Sequence, residues 1–186
     1  MSIPTDLDRR FRAAAARSGM LDAGYDLVDS PVGQLLVAAT DRGLLRISFD
    51  PDPDAELDRI ERLAGRRVLR SSASVENVHR ELDEYFDGRR HAFDLAVDLR
   101  GLTPFSERVL HELARIPFGE TATYAGLAER AGKPKAARAV GTIMNRNPIP
   151  IVLPCHRIIG ANGSLVGYGG GLDRKVALLT LEGVLL

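Results

Sequence analysis

The chain carries one cysteine, Cys155, with Pro154 before it and His156 and Arg157 after it. A thiol with a pKa near ~8.5 is a weak nucleophile at neutral pH until a base or a nearby positive charge helps it to the thiolate. His156 is placed to be that base, and Arg157 adds a charge expected to favour thiolate. Pro154 fixes the backbone that leads into the cysteine. The plainer reading is that Cys155 is a small buried hydrophobe and that His156 fills a core or a surface. On a strand, neighbouring side chains point to opposite faces, so a bridging water would be needed to link His156 to Cys155. A water relay also needs a group to orient the imidazole, usually a carboxylate. Glu182, expected in the last helical turn of the chain, is the candidate.

A single thiol excludes an intrachain disulfide and a Cys-rich zinc cluster, and it fits a reducing cytoplasm best. The glycine-rich stretch GYGGG, residues 167–171, is not a phosphate loop, because neither Gly-Lys-Ser/Thr nor the dinucleotide pattern fits it. Glycines beside a nucleophile let backbone N–H groups approach a planar ligand closely, and Tyr168 could stack on one. Net charge is zero over 186 residues, but it is unevenly spread. Residues 1–100 hold 15 basic and 19 acidic side chains, whereas residues 101–186 hold 10 and 6. Between Glu129 and Asp173 stand Arg130, Lys133, Lys135, Arg138, Arg146 and Arg157 with no acid among them. Such asymmetry reads as a basic face, either simply solvated or turned to nucleic acid.

The elements that must position these residues fall into two groups. Residues 25–50 read as strands with turns at Ser30–Gly33 and Asp41–Gly43. Residues 54–65 and 73–88 read as helices, the second with Val75, Val78, Leu82 and Phe86 on its buried face. Residues 91–99 return to a strand, closing a small α/β unit near residue 97. In the second group Thr103-Pro104 starts a helix as N-cap and first helical residue, with Phe105, Val109, Leu113 and Ile116 inward. A short helix ends at Gly132, and a second, with Pro134 at its start, follows after about three residues. This spacing suggests a helix-turn-helix whose second helix carries Lys135, Arg138 and Arg146. A short buried strand, residues 151–154, then leads to Cys155, and a helix over residues 173–183 closes the chain. The first residues are too charged for a signal peptide. The absence of an 18-residue apolar run predicts no transmembrane helix.

PCHRII, residues 154–159, resembles the active-site motif of the O6-alkylguanine-DNA alkyltransferases (methylated-DNA–protein-cysteine methyltransferases), PCHR followed by Val or Ile. The resemblance runs from FGETATYAGLAERAGKPKAARAVGTIMNRN through the motif to GYGGGLDRKVALLTLEG. It extends to SPVGQLLVAATDRGLLRISF and YFDGRRHAFDLAVDLRGLTPF, about residues 25 to 183 in all. It implies a ribonuclease-H-like α/β domain over residues 25–97 and a linker over 98–104. A mostly α domain with a winged-helix-like helix-turn-helix follows over 105–186. Residues 1–24 are an extension.

The function it implies is direct-reversal DNA repair. Cys155 takes the alkyl group from O6 of guanine, and from O4 of thymine, in duplex DNA, once, as a stable thioether. His156 deprotonates the thiol through a water, Glu182 orients His156, and Asn147 holds the active-site segment. Tyr124 donates to the guanine ring as it leaves with negative charge. Arg138 fills the gap left by the flipped base, on a helix that enters the minor groove beside Lys133 and Lys135. Met144, Pro150 and Tyr168 wall the pocket, and backbone groups of Cys155, Ile158, Gly169 and Gly170 contact the guanine edge. Gly169 stands where some members have serine, a change expected to matter little if only its N–H is used. The resemblance implies no cofactor, no metal, a cytoplasmic monomer, no membrane and no obligate protein partner. Two other readings stand beside it. One is a non-catalytic alkylguanine-DNA-binding module of the alkyltransferase-like type, which lacks the cysteine; the other is a Cys-His hydrolase.

Overall fold

A computed structural model describes Arg10, Ala14, Ala15 and residues 18–185. The extension expected over residues 1–24 lies largely outside the described residues. The chain forms two compact units. One comprises the described residues up to Glu84 together with Asp94–Arg100, and the other comprises Tyr85–Phe93 together with the residues from Gly101 onward.

The first unit is built on a four-stranded sheet of β1 (Ala23–Val28), β2 (Leu35–Thr40), β3 (Gly43–Phe49) and β4 (Val68–Arg70), in the order β3-β2-β1-β4. β1–β2 and β2–β3 pair antiparallel and β1–β4 pairs parallel, so the sheet is mixed. Helix α1 (Pro53–Ala64) starts at an Asp52 cap with Pro53 in its first turn and ends at Gly65. Its Ile60 is fully buried in a core with Ala23, Leu36, Ala38 and Leu45, each large side chain contributing about 1.5–3 kcal/mol on burial. A 3₁₀ turn, Ser72–Ser74, precedes α2 (Glu76–Phe86). The single helix expected from residue 73 is therefore split, because Val75 N–H bonds back three residues to the Ser72 carbonyl. Val75, just before α2, and Val78, Leu82 and Tyr85 on it are buried, whereas Phe86 is only half-buried.

The strand expected over residues 91–99 reduces to one parallel bridge, Leu44 with Val97. Leu44 N–H bonds to the Ala96 carbonyl and Asp98 N–H to the Leu44 carbonyl, and side chains hold the rest of the segment. The Glu81 carboxylate accepts from Asp94 N–H, and Asp98 accepts from the Thr40 hydroxyl and Arg100 N–H. Gly43, at φ +130°, brings its backbone so close that an added Cβ would stand 2.3 Å from the Ala96 carbonyl oxygen.

The second unit is mostly helical: α3 (Pro104–Ala114), α4 (Tyr124–Arg130), α5 (Ala137–Asn145) and α6 (Leu172–Leu181). A two-stranded parallel pair joins β5 (Ala122–Thr123) to β6 (Ile158–Ile159). Thr103 caps α3 by accepting from Ser106 N–H, with Pro104 in the first turn. Val109, Leu113 and Ile116 are buried and Phe105 is half-buried. Thr123 caps α4 in the same way through Gly126 N–H.

Helices α4 and α5 are separated by Ala131–Ala136, longer than the expected three residues. Pro134 occupies the second position of a turn closed by Ala136 N–H to the Lys133 carbonyl, which its fixed φ suits, instead of opening the helix. Helix α5 therefore starts at Ala137 and carries Arg138, while Lys135 stands in the turn and Arg146 caps the far end.

The strand expected at residues 151–154 is absent. Ile151 sits at φ +75°, and Leu153 N–H folds back to the Ile149 carbonyl. Cys155–Arg157 then forms a 3₁₀ turn, so the opposite-faces rule for strands does not govern Cys155 and His156. Among the described residues no helix is long and apolar enough to cross a membrane.

Candidate active site

The segment before Cys155 is pinned by one side chain. Asn147 donates from Nδ2 to the Leu153 carbonyl (2.8 Å) and accepts at Oδ1 from Ile149 N–H (3.0 Å). This clamp spans Ile151, whose left-handed backbone costs a β-branched residue about 1–2 kcal/mol. Cys155 ends the segment as a buried free thiol. Burial pushes the thiol up to about 11, against the pull of the Asn147 amide, its own backbone N–H, the Lys175 charge and the Tyr168 hydroxyl. Arg157 does not supply the expected thiolate-favouring charge. Its guanidinium forks onto Glu182, Nε to Oε2 and Nη2 to Oε1 at 2.8 Å each, and Nη1 donates to the Ile116 carbonyl. The cation that acts on the sulfur is Lys175, which is fully buried and donates to the carbonyls of Ile158 and Val166.

His156 is fully buried and its Nε2 lies 2.8 Å from Glu182 Oε1. Glu182 is the cap residue at the end of α6. Desolvation works against its ionisation, but hydrogen bonds and charge from His156 and Arg157 win and hold its carboxyl at about 2. An ionised carboxylate only accepts, so Nε2 must carry the proton and Nδ1 keeps its lone pair. Nδ1 is buried with no hydrogen-bonding partner among the described residues. Burial also depresses the imidazole, outweighing the pull of Glu182, and the Arg157 and Lys175 charges act in the same direction. The arrangement is a neutral histidine, locked in one tautomer, with its basic nitrogen open.

Tyr124 opens α4 and donates to the carbonyls of Val166 (3.1 Å) and Gly167 (3.4 Å). Burial, and then the Cys155 charge, raise its phenol, so Tyr124 and Cys155 sense one another. Met144, Pro150 and Ile158 are buried. The Ile158 carbonyl is held by Lys175 and the Gly170 carbonyl by Arg174 Nη1, which fixes both backbones. The Tyr168 hydroxyl is buried, and burial first, then the Cys155 charge, hold its phenol well above the usual tyrosine range, which couples it to the thiol beyond the stacking foreseen for it. A Cβ on Gly169 would stand 2.9 Å from the Asn145 carbonyl oxygen at the end of α5. A side chain there would force the loop or the end of α5 to shift, a steric demand for glycine separate from the use of its N–H. Arg138 and Lys135 are exposed, and Lys133 lies over the Phe105 ring, 4.7 Å from its centroid.

Sequence reasoning did not find Lys175 or Tyr85, whose hydroxyl donates to Glu182 Oε1 at 2.8 Å. Tyr85 continues the 3-4-3 spacing of Val75, Val78 and Leu82 better than Phe86 does, which marks it as buried but says nothing of its hydroxyl. Lys175, an amine inside an apolar helix face, carries no signal short of the fold.

Two family matches cover most of the chain. Residues 24–99 match the 6-O-methylguanine DNA methyltransferase, ribonuclease-like domain. Residues 104–184 match the 6-O-methylguanine DNA methyltransferase, DNA binding domain. The chain belongs to the 6-O-methylguanine DNA methyltransferase family. Among curated members of that family, the methylated-DNA–protein-cysteine methyltransferase of Methanosarcina barkeri is 41% identical over 85% of this chain and 96% of its own. That of Mycolicibacterium paratuberculosis is 44% identical over 85% and 91%. A crystal structure of Mycobacterium tuberculosis OGT in complex with DNA is 40% identical and covers 86% of this chain and 92% of that one, with a TM-score of 0.74.

Proposed function

We propose that this member of the 6-O-methylguanine DNA methyltransferase family repairs DNA by moving the alkyl group of an O6-alkylguanine onto Cys155. The observation that carries the reading is the buried set Cys155, His156 and Glu182, in which His156 is neutral, oriented and open at Nδ1. The Cys155 proton passes to His156 Nδ1 through a bridging water. The thiolate then attacks the alkyl carbon, the S–C bond forms, and the C–O6 bond breaks with its electron pair going to the guanine. Tyr124 offers the departing base a proton or hydrogen bond, which stabilises the charge that develops there. Asn147 and Tyr168 steady the sulfur. The thioether is stable, and the single cysteine leaves no second thiol to reverse it, so each molecule acts once.

The DNA-handling and chemical parts lie together in residues 105–186. Helix α5 presents Arg138, with Lys133 and Lys135 before it, to the minor groove. Arg138 takes the place of the base that leaves the stack, since a buried thiol can reach only an extrahelical nucleotide. Met144, Pro150, Ile158, Tyr168, Gly169 and Gly170 enclose that base. A lone thiol nucleophile needs a reducing compartment, and the cytoplasm fits.

The test is incubation with a duplex containing O6-methylguanine, followed by mass analysis of the Cys155 peptide. One added methylene unit on that peptide, absent in Cys155→Ser, is expected. An unchanged peptide with duplex binding intact overturns transfer in favour of a binding module.

A further inference from the structure

Glu182 accepts more hydrogen bonds than the orientation of one histidine requires. Oε1 takes three donors at 2.8 Å each: His156 Nε2, Arg157 Nη2 and Tyr85 Oη. Oε2 takes Arg157 Nε at 2.8 Å, with Gly119 N–H at 3.5 Å. Tyr85 is the donor whose presence the orientation of His156 does not explain. It comes from 97 positions earlier in the chain and is fully buried. Its ring is fixed by Phe86 and Phe93, both 5.3 Å away between centroids, and by Phe118 at 6.1 Å. Three rings hold the phenol so that its hydroxyl has one partner, the carboxylate.

We infer that Tyr85 is a positioning residue for alkyl transfer: its hydroxyl keeps Glu182 a hydrogen-bonded anion, so that His156 retains the Nδ1 lone pair that takes the Cys155 proton. The physical case is one of competition at Oε1. A buried carboxylate beside an imidazole draws it toward imidazolium, and an imidazolium has no lone pair. Each further donor on Oε1 disperses the carboxylate charge and weakens that draw.

The charged and titratable groups facing the pair are few. The 3₁₀ turn brings His156 and Arg157, α2 brings Tyr85, the glycine loop brings Tyr168, α6 brings Lys175 with Glu182 at its end, and the loop after α3 brings the Gly119 backbone. Arg157 and Lys175 act against imidazolium through charge, while Tyr85 acts by occupying the acceptor. Burial holds the Tyr85 phenol well above the usual tyrosine range, so it remains a donor at any working pH.

This inference rests on the transfer reading, and its test separates the two. Tyr85→Phe keeps the ring and its three neighbours and removes the hydroxyl alone. The expected result is unchanged duplex affinity, a transfer rate at neutral pH lower by roughly tenfold, the effect of one charge-assisted hydrogen bond, and an acid limb of the pH–rate profile moved to higher pH. The imidazole of His156, followed by NMR in the same variant, titrates at higher pH than in the parent. A Tyr85→Phe protein that melts earlier but keeps the parent's acid limb and His156 titration overturns the inference and leaves Tyr85 as packing. A parent protein that acquires no alkyl group on Cys155 overturns the transfer reading itself, and the His156 titration still reports on Tyr85.

Discussion

Cys155 rests as a thiol. Burial outweighs every group that favours its anion and sets it at about 11, so at neutral pH the sulfur carries its proton until a substrate and His156 take it. An irreversible reagent gains from this, because a standing thiolate would react with any electrophile that reached it. Among the described residues the Lys175 ammonium is the full positive charge that favours the anion, and Lys175→Met tests its weight. Loss of a nearby positive charge disfavours thiolate, so the thiol pKa moves up. The pH midpoint for reaction of Cys155 with a small uncharged alkylating reagent moves up with it, and transfer from O6-methylguanine slows at pH 7. An unchanged midpoint would reduce Lys175 to a tie between the Ile158 and Val166 carbonyls. Cys155 and His156 are legible in the sequence because a thiol and a base stand side by side in one motif, whereas Glu182, 26 positions from His156, is reached only through the family resemblance. Arg157 misleads: adjacency in sequence suggests a charge for the sulfur, whereas the 3₁₀ turn swings the guanidinium onto Glu182.

At the scale of elements, the active-site floor is irregular backbone held by side chains. Asn147 clamps Ile149 and Leu153, Ile151 is left-handed, and the glycine loop lies against the end of α5. Gly169 is needed for that last contact. Gly169→Ser forces the loop off the Asn145 carbonyl, at a cost of roughly 1–3 kcal/mol for overpacking. A lower melting temperature and slower transfer to Cys155 are expected together, and a variant as stable and as fast as the parent would show that the loop yields freely. These features explain which elements could be read beforehand. Helices α3 and α4 carry their own start signals in Thr103-Pro104 and Thr123, and β1–β3 are short runs set off by turn residues. IVLP looked like a buried strand because its composition is that of one. Its conformation, however, is dictated by Asn147 and by the return of Leu153 N–H to Ile149, which no local pattern encodes. Pro134 reads as a helix start but serves a turn, since both uses exploit the same fixed φ. Residues 91–99 alternate like a strand, but Asp94 N–H goes to the Glu81 carboxylate, and Leu44 alone pairs with the backbone of Ala96 and Asp98.

At the scale of the whole molecule, a net charge of zero conceals a division of labour. The acidic excess lies in residues 1–100 and the basic excess in residues 101–186, the part that holds both the match to a DNA-binding domain and Cys155. A modest basic surface suits a protein that must scan DNA without being trapped on it, because each phosphate contact adds affinity that is independent of sequence. Discrimination then falls to extrusion of the damaged base, and Arg138, exposed on α5, is the residue we propose for that step. The energy of holding a base out of the stack, a few kcal/mol, is needed only when the substrate is a duplex. Arg138→Ala is therefore expected to slow methyl transfer from duplex O6-methylguanine by at least roughly tenfold, a loss on the order of 1.4 kcal/mol of that extrusion energy. Reaction with free O6-benzylguanine, which has no stack to leave, stays near the parent rate. Single-turnover rates on the two substrates, measured at one salt concentration, decide the matter. Equal losses on both would place Arg138 in the support of the pocket, and loss of duplex affinity with no change in the bound-state rate would make it one more phosphate contact.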